Sequence, residues 1–377
     1  MNTEVPVPLE RQVRQETFWT WTNQMVQRLV VDLAQQVLQL EMQAHLAAGW
    51  NERSSQRRGY RNGYYRRGLT TPYGPVRLKI PRCRGSGLDC SVIFDRYQRR
   101  IADVARILRH AYLLGTSTRA TAQLAEQVFG GRISHQTVSR LLRWLDGQLA
   151  VYQSGLIADV YPVVYIDGMH VDIVGGDRMV MLVTGARHDG RKEVLGFCVS
   201  TGERCRRLLW DLRRRGLENV QMFVSDESGA ICSAVAEVFP LSAWQSCSFH
   251  RLQALRTNIG PTEFRQAMTR QAGNIFRANS KLAARDLADA WAQRWRPQAP
   301  WAVQCFMDGL GDSLMFYTLP KDWWRRTRTN NPLERIIRTL RQRLRPMGCF
   351  HDEPAIERAV FGQLARWHLL PELTQNC

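Results

Sequence analysis

The order of strand and helix signals between residues 160 and 250 constrains this fold more than any other feature. Three strand-like runs come first, at 163–167, 179–185 and 194–200, with Gly175-Gly176-Asp177 and His188-Asp189-Gly190 as the turns between them. A helical pattern at 203–215 follows, then a strand closing at Asp226, a helix at 229–238, and a short strand from Ala243 to Cys247 that leads into a helix from His250. Doubly wound parallel sheets do not open with three hairpin-linked strands. The order therefore predicts an α/β domain that begins as an antiparallel meander and continues through helical crossovers.

Three acids occupy positions that such a domain would bring together. Asp167 closes the apolar run Val163-Val164-Tyr165-Ile166, Asp226 closes the run 220–225, and Glu334 lies in Thr329-Asn330-Asn331-Pro332-Leu333-Glu334-Arg335, which opens an arginine-rich helix. In a meander-first sheet the first and fourth strands are neighbours, so Asp167 and Asp226 should end at one edge, with Glu334 supplied by a helix across it. Three carboxylates suffice for hard cations that prefer oxygen ligands and keep several waters. Two such ions roughly 3.5–4 Å apart stabilise the attacking and leaving oxygens of a phosphodiester displacement. Each acid also has a plainer reading: a turn for Asp167-Gly168, a helix cap for Asp226, and a first-turn glutamate favoured by the helix dipole for Glu334. Asp172, Asp177 and Glu227 are competitors, the first two read as past the strand end or in a turn.

Charge supplies the context. The 377 residues carry 52 Lys+Arg against 34 acids, a formal charge of +18, with 44% hydrophobic residues. That combination describes a globular polyanion binder rather than a disordered chain. No apolar run reaches the roughly 18 residues needed to span a bilayer, and the start at residues 1–6 lacks a signal pattern. Nine scattered cysteines suit free thiols in a reducing cytosol. Cys83 and Cys90 would begin a zinc site that no second pair completes. These features predict a cytoplasmic, nucleoid-associated protein.

A helix for pairing or for packing on its own domain, followed by two DNA-binding regions, is expected ahead of the α/β domain. Residues 14–47 read as a helix whose Val26, Val30, Leu33, Val37, Leu40 and Ala44 form a pairing seam suited to a homodimer. A basic β-hairpin follows, with turns at Asn62-Gly63 and Pro72-Tyr73-Gly74; Arg61, Arg66 and Arg67 would meet phosphates and Tyr64 sugars or unpaired bases. Within 104–149 lies a helix-turn-helix pattern. Ala120 to Phe129 form its first helix, Gly130-Gly131-Arg132-Ile133 the turn, and Ser134 caps a second helix presenting His135, Gln136, Ser139, Arg140 and Arg143. Beyond the α/β pattern, 261–313 reads as helical and would interrupt the domain before its last helix. Arg335 and Arg338 share a face near Glu334 and would clamp phosphate. Trp323 and Trp324 read as core, with base stacking as the sharper alternative. The division expected is 1–100 for the helix and hairpin, 101–155 for the helix-turn-helix, and 156–377 for the α/β domain.

The strand order is that of a ribonuclease H-like domain, and the segments 61–65, 163–171, 220–226, 247–251 and 329–335 resemble, in the same order, those of Mutator-type bacterial insertion-sequence transposases. The ordered set carries the resemblance. It implies a DDE triad (Asp167, Asp226, Glu334) on a ribonuclease H-like fold with a helical insertion, Mg2+ as cofactor with Mn2+ as a substitute, and double-stranded DNA as partner, both terminal inverted repeats and target. Cys247 and His250 match the family's C/D-x-x-H motif. His250 is then a catalytic candidate as hydrogen-bond donor or proton shuttle, beside the readings of a core histidine or a zinc half-site without partners. Gly168-Met169-His170 and Glu227-Ser228-Gly229-Ala230 depart from the commonest family form. A non-catalytic DNA-binding derivative and a nuclease on the same fold remain alternatives.

Overall fold

A computed structural model of the chain describes residues 9–84, 93, 99–200 and 202–371. The start at 1–6 and Cys90 lie outside the described residues. The chain divides into two compact units, 1–142 and 143–377.

In the first unit, α1 (Leu9–Leu46) packs on a two-stranded antiparallel sheet of β1 (Tyr60–Thr71) and β2 (Gly74–Arg84). The turn is at Pro72-Tyr73, as expected. Asn62-Gly63 makes no turn: the register slips between Arg61 and Tyr64, and Gly63 adopts φ +72°, so the dipeptide is a bulge inside β1. The inward face of α1 also differs from the expected seam. Val31, Ala34 and Leu38 pack with Leu69, Val76, Leu78 and Ile80, while Leu33 and Leu40 stay exposed. The glutamines beside that face bind the hairpin, Gln35 Nε2 donating to Lys79 O and Gln27 Nε2 to Tyr73 O. Helices α2 (Ala102–Leu113), α3 (Thr118–Phe129) and α4 (His135–Leu142) complete the unit. Ser117 caps α3, Gly130 ends it in the left-handed conformation, and the Ser134 hydroxyl accepts from Thr137 N to start α4.

The second unit opens with α5 (Trp144–Ser154) and is a mixed α/β fold with a helical majority. Its sheet contains β3 (Val163–Ile173), β4 (Gly176–Ala186), β5 (Lys192–Ser200), β6 (Met222–Ser225) and β7 (Ala243–Ser246), in the order β5-β4-β3-β6-β7. The first three strands are antiparallel and the last two join β3 in parallel. Between the strands run α6 (Gly202–Arg214) and α7 (Gly229–Val238). Val164, Ile166 and Phe223 face Leu209, Leu212, Ile231 and Val235 of these helices. Side chains alternate along a strand, so Tyr165 and Asp167 face the other way. That other side is covered by α13 (Lys321–Thr327) and α14 (Asn331–Leu344), α14 packing on β3.

Leading there from β7 are α8 (Ser248–Ile259), α9 (Arg265–Ile275), α10 (Lys281–Trp295), α11 (Pro300–Asp308) and α12 (Leu310–Ser313). Trp291 and Trp295 are buried, whereas Trp301 is exposed. The helix bearing Glu334 is not the last, because α15 (Glu353–Arg366) follows it. Trp323 is buried in the core, and Trp324, half-buried, donates to Leu319 O and packs on Phe316 and Tyr317. No described helix is long and apolar enough to cross a membrane.

Candidate functional site

Asp167 does not end its strand. β3 continues to Ile173, because Met169, Val171 and Ile173 alternate with polar residues and pair with β4. What ends is the neighbour. β6 stops at Ser225, and β3 runs past it, meeting Phe350 on that side at Ile173. The parallel register sets Tyr165 against Val224; two residues further on, it brings Asp167 level with Asp226. Burial raises the Asp167 carboxyl to about 6, partly offset by the Gly168 N–H (2.8 Å) and the charge of His250, and reinforced by the charges of Asp226 and Glu334. Asp167, Asp226, Glu334 and His250, far apart in sequence, thus feel one another in one place.

Several bonds seat Glu334 there. Asn330, fully buried, donates through Nδ2 to Ile166 O (3.0 Å), the residue before Asp167, and its backbone N–H reaches Cys247 Sγ (3.2 Å). Its carbonyl receives Glu334 N, starting α14 with Glu334 in the first turn. Tyr165 OH donates to Arg326 O, and Ser248 N to Arg328 O. Cys247, the N-cap of α8, donates its N–H to Ser225 O beside Asp226 (2.8 Å). Ligand atoms of Cys247, His250 and Glu334 all lie within 4.8 Å of one another. Tertiary packing thus sets Glu334 beside the Cys247-x-x-His250 pair.

Contact with Cys247, and the charges of Cys247, Asp167 and Glu334, push His250 up to about 9 against the opposing effect of burial. At neutral pH it is an imidazolium among carboxylates. Asp226 Oδ1, Glu334 Oε1, His250 Nδ1 and Asn330 Oδ1 are buried without hydrogen-bond partners. Unpartnered buried oxygens are costly unless something else pairs them. Oxygen donors of this kind, gathered beside Asp167, fit a hard divalent cation.

The competitors are otherwise engaged. Glu227 is ion-paired with Arg251 and accepts from Ser246 Oγ (2.7 Å). Asp172 and Asp177 are in strands, paired across β3 and β4, rather than in a turn, and Asp177 bonds His170. Ser228 is the N-cap residue of α7.

The second unit also gathers cations. Burial, with the charges of Arg326 and Arg335, lowers the Lys192 pKa, so these three form one cluster. Arg338 belongs elsewhere: with Arg341 and Arg345 it lines a cavity of about 360 Å³ against His170 and Asp172. Arg335 and Arg338 are both exposed but serve different clusters.

The Mutator family of transposases matches residues 3–368. The chain belongs to that family. Among its relatives, the transposase for insertion sequence element ISRM5 of Rhizobium meliloti (strain 1021) is 27% identical over 344 residues, 89% of this chain and 85% of that protein. The transposase for insertion sequence element IS256 in transposon Tn4001 of Staphylococcus aureus is 26% identical over 345 residues, with 88% and 87% covered. That for IS406 of Burkholderia multivorans (strain ATCC 17616 / 249) is 29% identical over 342 residues, 88% of each chain.

In the first unit of this family member, His135, Gln136, Ser139 and Arg140 are exposed on α4, opposite buried Val138 and Leu142. Arg143 is exposed too, at the start of the second unit. A groove of about 820 Å³ runs beside α4, lined by Arg99, Arg100, Arg119 and Arg132 with Glu126 as its acid. Burial, with the charges of Arg140 and Arg99, lowers the Arg100 pKa. On the hairpin, Tyr64 and Arg66 are exposed. Arg67 is half-buried, and Arg61 is tied to Gln39 (3.1 Å) and stacked on Trp50. Near Arg61 a second cavity of about 460 Å³ is lined by Trp50, Arg53, Arg57, Tyr60 and Arg82.

Proposed function

We propose that this protein is an insertion-sequence transposase that binds the terminal inverted repeats of its element and carries out metal-dependent strand cleavage and strand transfer. The reading is carried by the meeting of Asp167, Asp226 and Glu334 beside the end of β6, with buried oxygens left unpartnered. A meander followed by parallel strands, in the order β5-β4-β3-β6-β7, supports a ribonuclease H-like catalytic domain. Helices α9 to α12, ahead of α14, support a helical insertion.

Asp167, Asp226 and Glu334 would hold Mg2+, or Mn2+ in its place, which supplies charge neutralisation at the phosphate and lowers the pKa of an attacking oxygen. The protein's own groups do the rest. His250, protonated, donates to a phosphate oxygen and keeps the proton inventory local. Lys192, Arg326 and Arg335 grip neighbouring phosphates. In the first step a P–O bond forms to water and the P–O3′ bond breaks, freeing a 3′-OH. That hydroxyl then attacks a target phosphodiester at the same carboxylates, forming a new P–O bond as the target's P–O3′ bond breaks and its 3′-OH leaves.

Incubating the protein and Mg2+ with a duplex ending in the element's repeat, plus a supercoiled plasmid, tests this. A nicked repeat end joined to plasmid is expected. Cutting without regard to the repeat, and without joining, would make it a nuclease; absence of nicking even with Mn2+ would leave only a DNA binder.

For repeat binding, Arg140→Ala should weaken affinity and lower the slope of log affinity on log salt by about one if it contacts phosphate. Salt titrations by fluorescence anisotropy measure this. An unchanged slope and affinity would remove Arg140 from the interface.

A second copy is proposed to cover α1. Phe18, Met25, Leu29, Leu33 and Leu40 are more than 40% exposed and recur at steps of seven and four along one helix. Leu29→Glu with Leu33→Glu should convert a dimer to a monomer in sedimentation velocity. A wild-type monomer at micromolar concentration would contradict the pairing.

A further inference from the structure

The ligand atoms that cluster most tightly among the described residues are not the three acids but Cys247, His250 and Glu334. We propose that these three form a second kind of metal site, one that takes a thiophilic divalent ion such as Zn2+ and, by claiming Glu334, holds the transposase inactive. The regulatory half of this inference rests on the catalytic role of Glu334; the site itself does not.

The chemistry separates the two ions. Mg2+ takes oxygen ligands and dehydrates reluctantly, so a cysteine and a histidine offer it little. Thiolate and imidazole, by contrast, select Zn2+ and its relatives. A tetrahedral site with Zn–S of about 2.3 Å and Zn–N and Zn–O of about 2.0–2.2 Å needs the three donors closer together than their present outer limit. Side-chain rotation supplies that, since all three belong to rigid elements already in contact.

Each donor is in place, and His250 gives up its ring proton as the metal binds. Cys247 is fully buried at the N-cap of α8, and its sulfur accepts the Asn330 N–H. His250 stands three residues on, on the same helix face, with Nδ1 buried and unpartnered. Glu334 Oε1 is likewise unpartnered, and the Cys247 N–H binds the carbonyl of Ser225, the residue before Asp226. Three protein ligands with a fourth position open is the pattern of an exchangeable rather than a structural zinc site.

The experiment is titration of the metal-free, reduced full chain with Co2+, read by the near-ultraviolet thiolate-to-cobalt charge-transfer band, and competition with Zn2+. Wild type should develop the band. Cys247→Ser should lose it, and His250→Ala should weaken Zn2+ binding by more than about 100-fold, since even outer-shell changes cost 10–100-fold. Cys205→Ala, which removes a buried α6 cysteine near Asp226, should keep it. Absence of the band in wild type, its persistence in Cys247→Ser, or its loss in Cys205→Ala overturns the site. Zn2+ should also inhibit Mg2+-dependent cleavage, with the inhibitory concentration raised at least tenfold in Cys247→Ser relative to that variant's own activity. Cleavage that Zn2+ leaves untouched overturns the regulatory half. A wild-type band in a protein that never cleaves DNA supports the site and removes the catalytic reading instead.

Discussion

Asp167→Asn is expected to abolish strand cleavage, by on the order of 10³-fold or more, while making the metal-free protein more stable at pH 7. The loss follows from removing a charged ligand whose place no other carboxylate can fill, since Glu227 is held by Arg251 and Asp177 by His170. The gain follows from burial. In the folded protein the Asp167 carboxyl is raised from 3.8 to about 6, so the folded state holds its proton more tightly than the unfolded chain does. Stability of the metal-free protein must then fall as pH rises from about 4 to about 6, and the loss persists above that. A shift of this size corresponds to about 3 kcal/mol.

His250 acts in the same direction at higher pH. Raised from 6.5 to about 9, it contributes stability that is complete below 6.5 and lost as pH climbs through 9. Thermal melts of metal-free wild type and Asp167→Asn across pH 4–9 measure both effects. The variant should melt higher at pH 7 and alike at pH 4. Added Mg2+ should close the gap by stabilising the wild type alone. A variant that melts lower than wild type at pH 7 would contradict the view that an uncompensated charge is stored there.

The second large effect concerns the support rather than the site. Arg251, the residue after His250, is only 6% exposed yet serves several partners at once. It donates to Ser313 Oγ (2.8 Å), Phe306 O (3.0 Å) and Cys305 O (3.3 Å), and pairs with Glu227. Gly309 leaves the room it needs: a Cβ there would overlap the guanidinium. Arg251 therefore bolts α8, with Cys247 and His250, to α11, α12 and the loop after β6. Arg251→Ala should cost about 3–5 kcal/mol, because it leaves Ser313 Oγ, Phe306 O and Cys305 O buried without their donor. In a unit of this size that is roughly 10 °C in melting temperature. Arg251→Met, which keeps the volume, should lose less. A melting temperature within a degree or two of wild type for Arg251→Ala would show that the bolt is not needed.

Much of this was legible in the sequence, and the failures have physical causes. The three-strand opening was readable because glycines at 175 and 190 supply the positive φ that its turns require. The Ser-capped second helix of the helix-turn-helix pattern was readable for a similar local reason. Asp167-Gly168 looked like a strand end because that dipeptide is turn chemistry, yet alternation at Met169, Val171 and Ile173 continues the strand against β4. Asn62-Gly63 misled in the same way, serving as a bulge. On α1 the apolar residues outnumber those the hairpin can cover, so periodicity alone could not say which stripe faces inward. Asn330 and Arg251 were invisible as supports. Their partners, Ile166, Cys247, Glu227 and Ser313, come from remote segments, and nothing local in an asparagine or arginine announces such company.

The most direct measurement is an anomalous difference map from crystals of the protein bound to a cleaved repeat end and soaked in Mn2+. The account predicts two peaks, roughly 3.5–4 Å apart, among the carboxylates of Asp167, Asp226 and Glu334. Density elsewhere, with none within coordinating distance of Asp167 and Asp226, would contradict it.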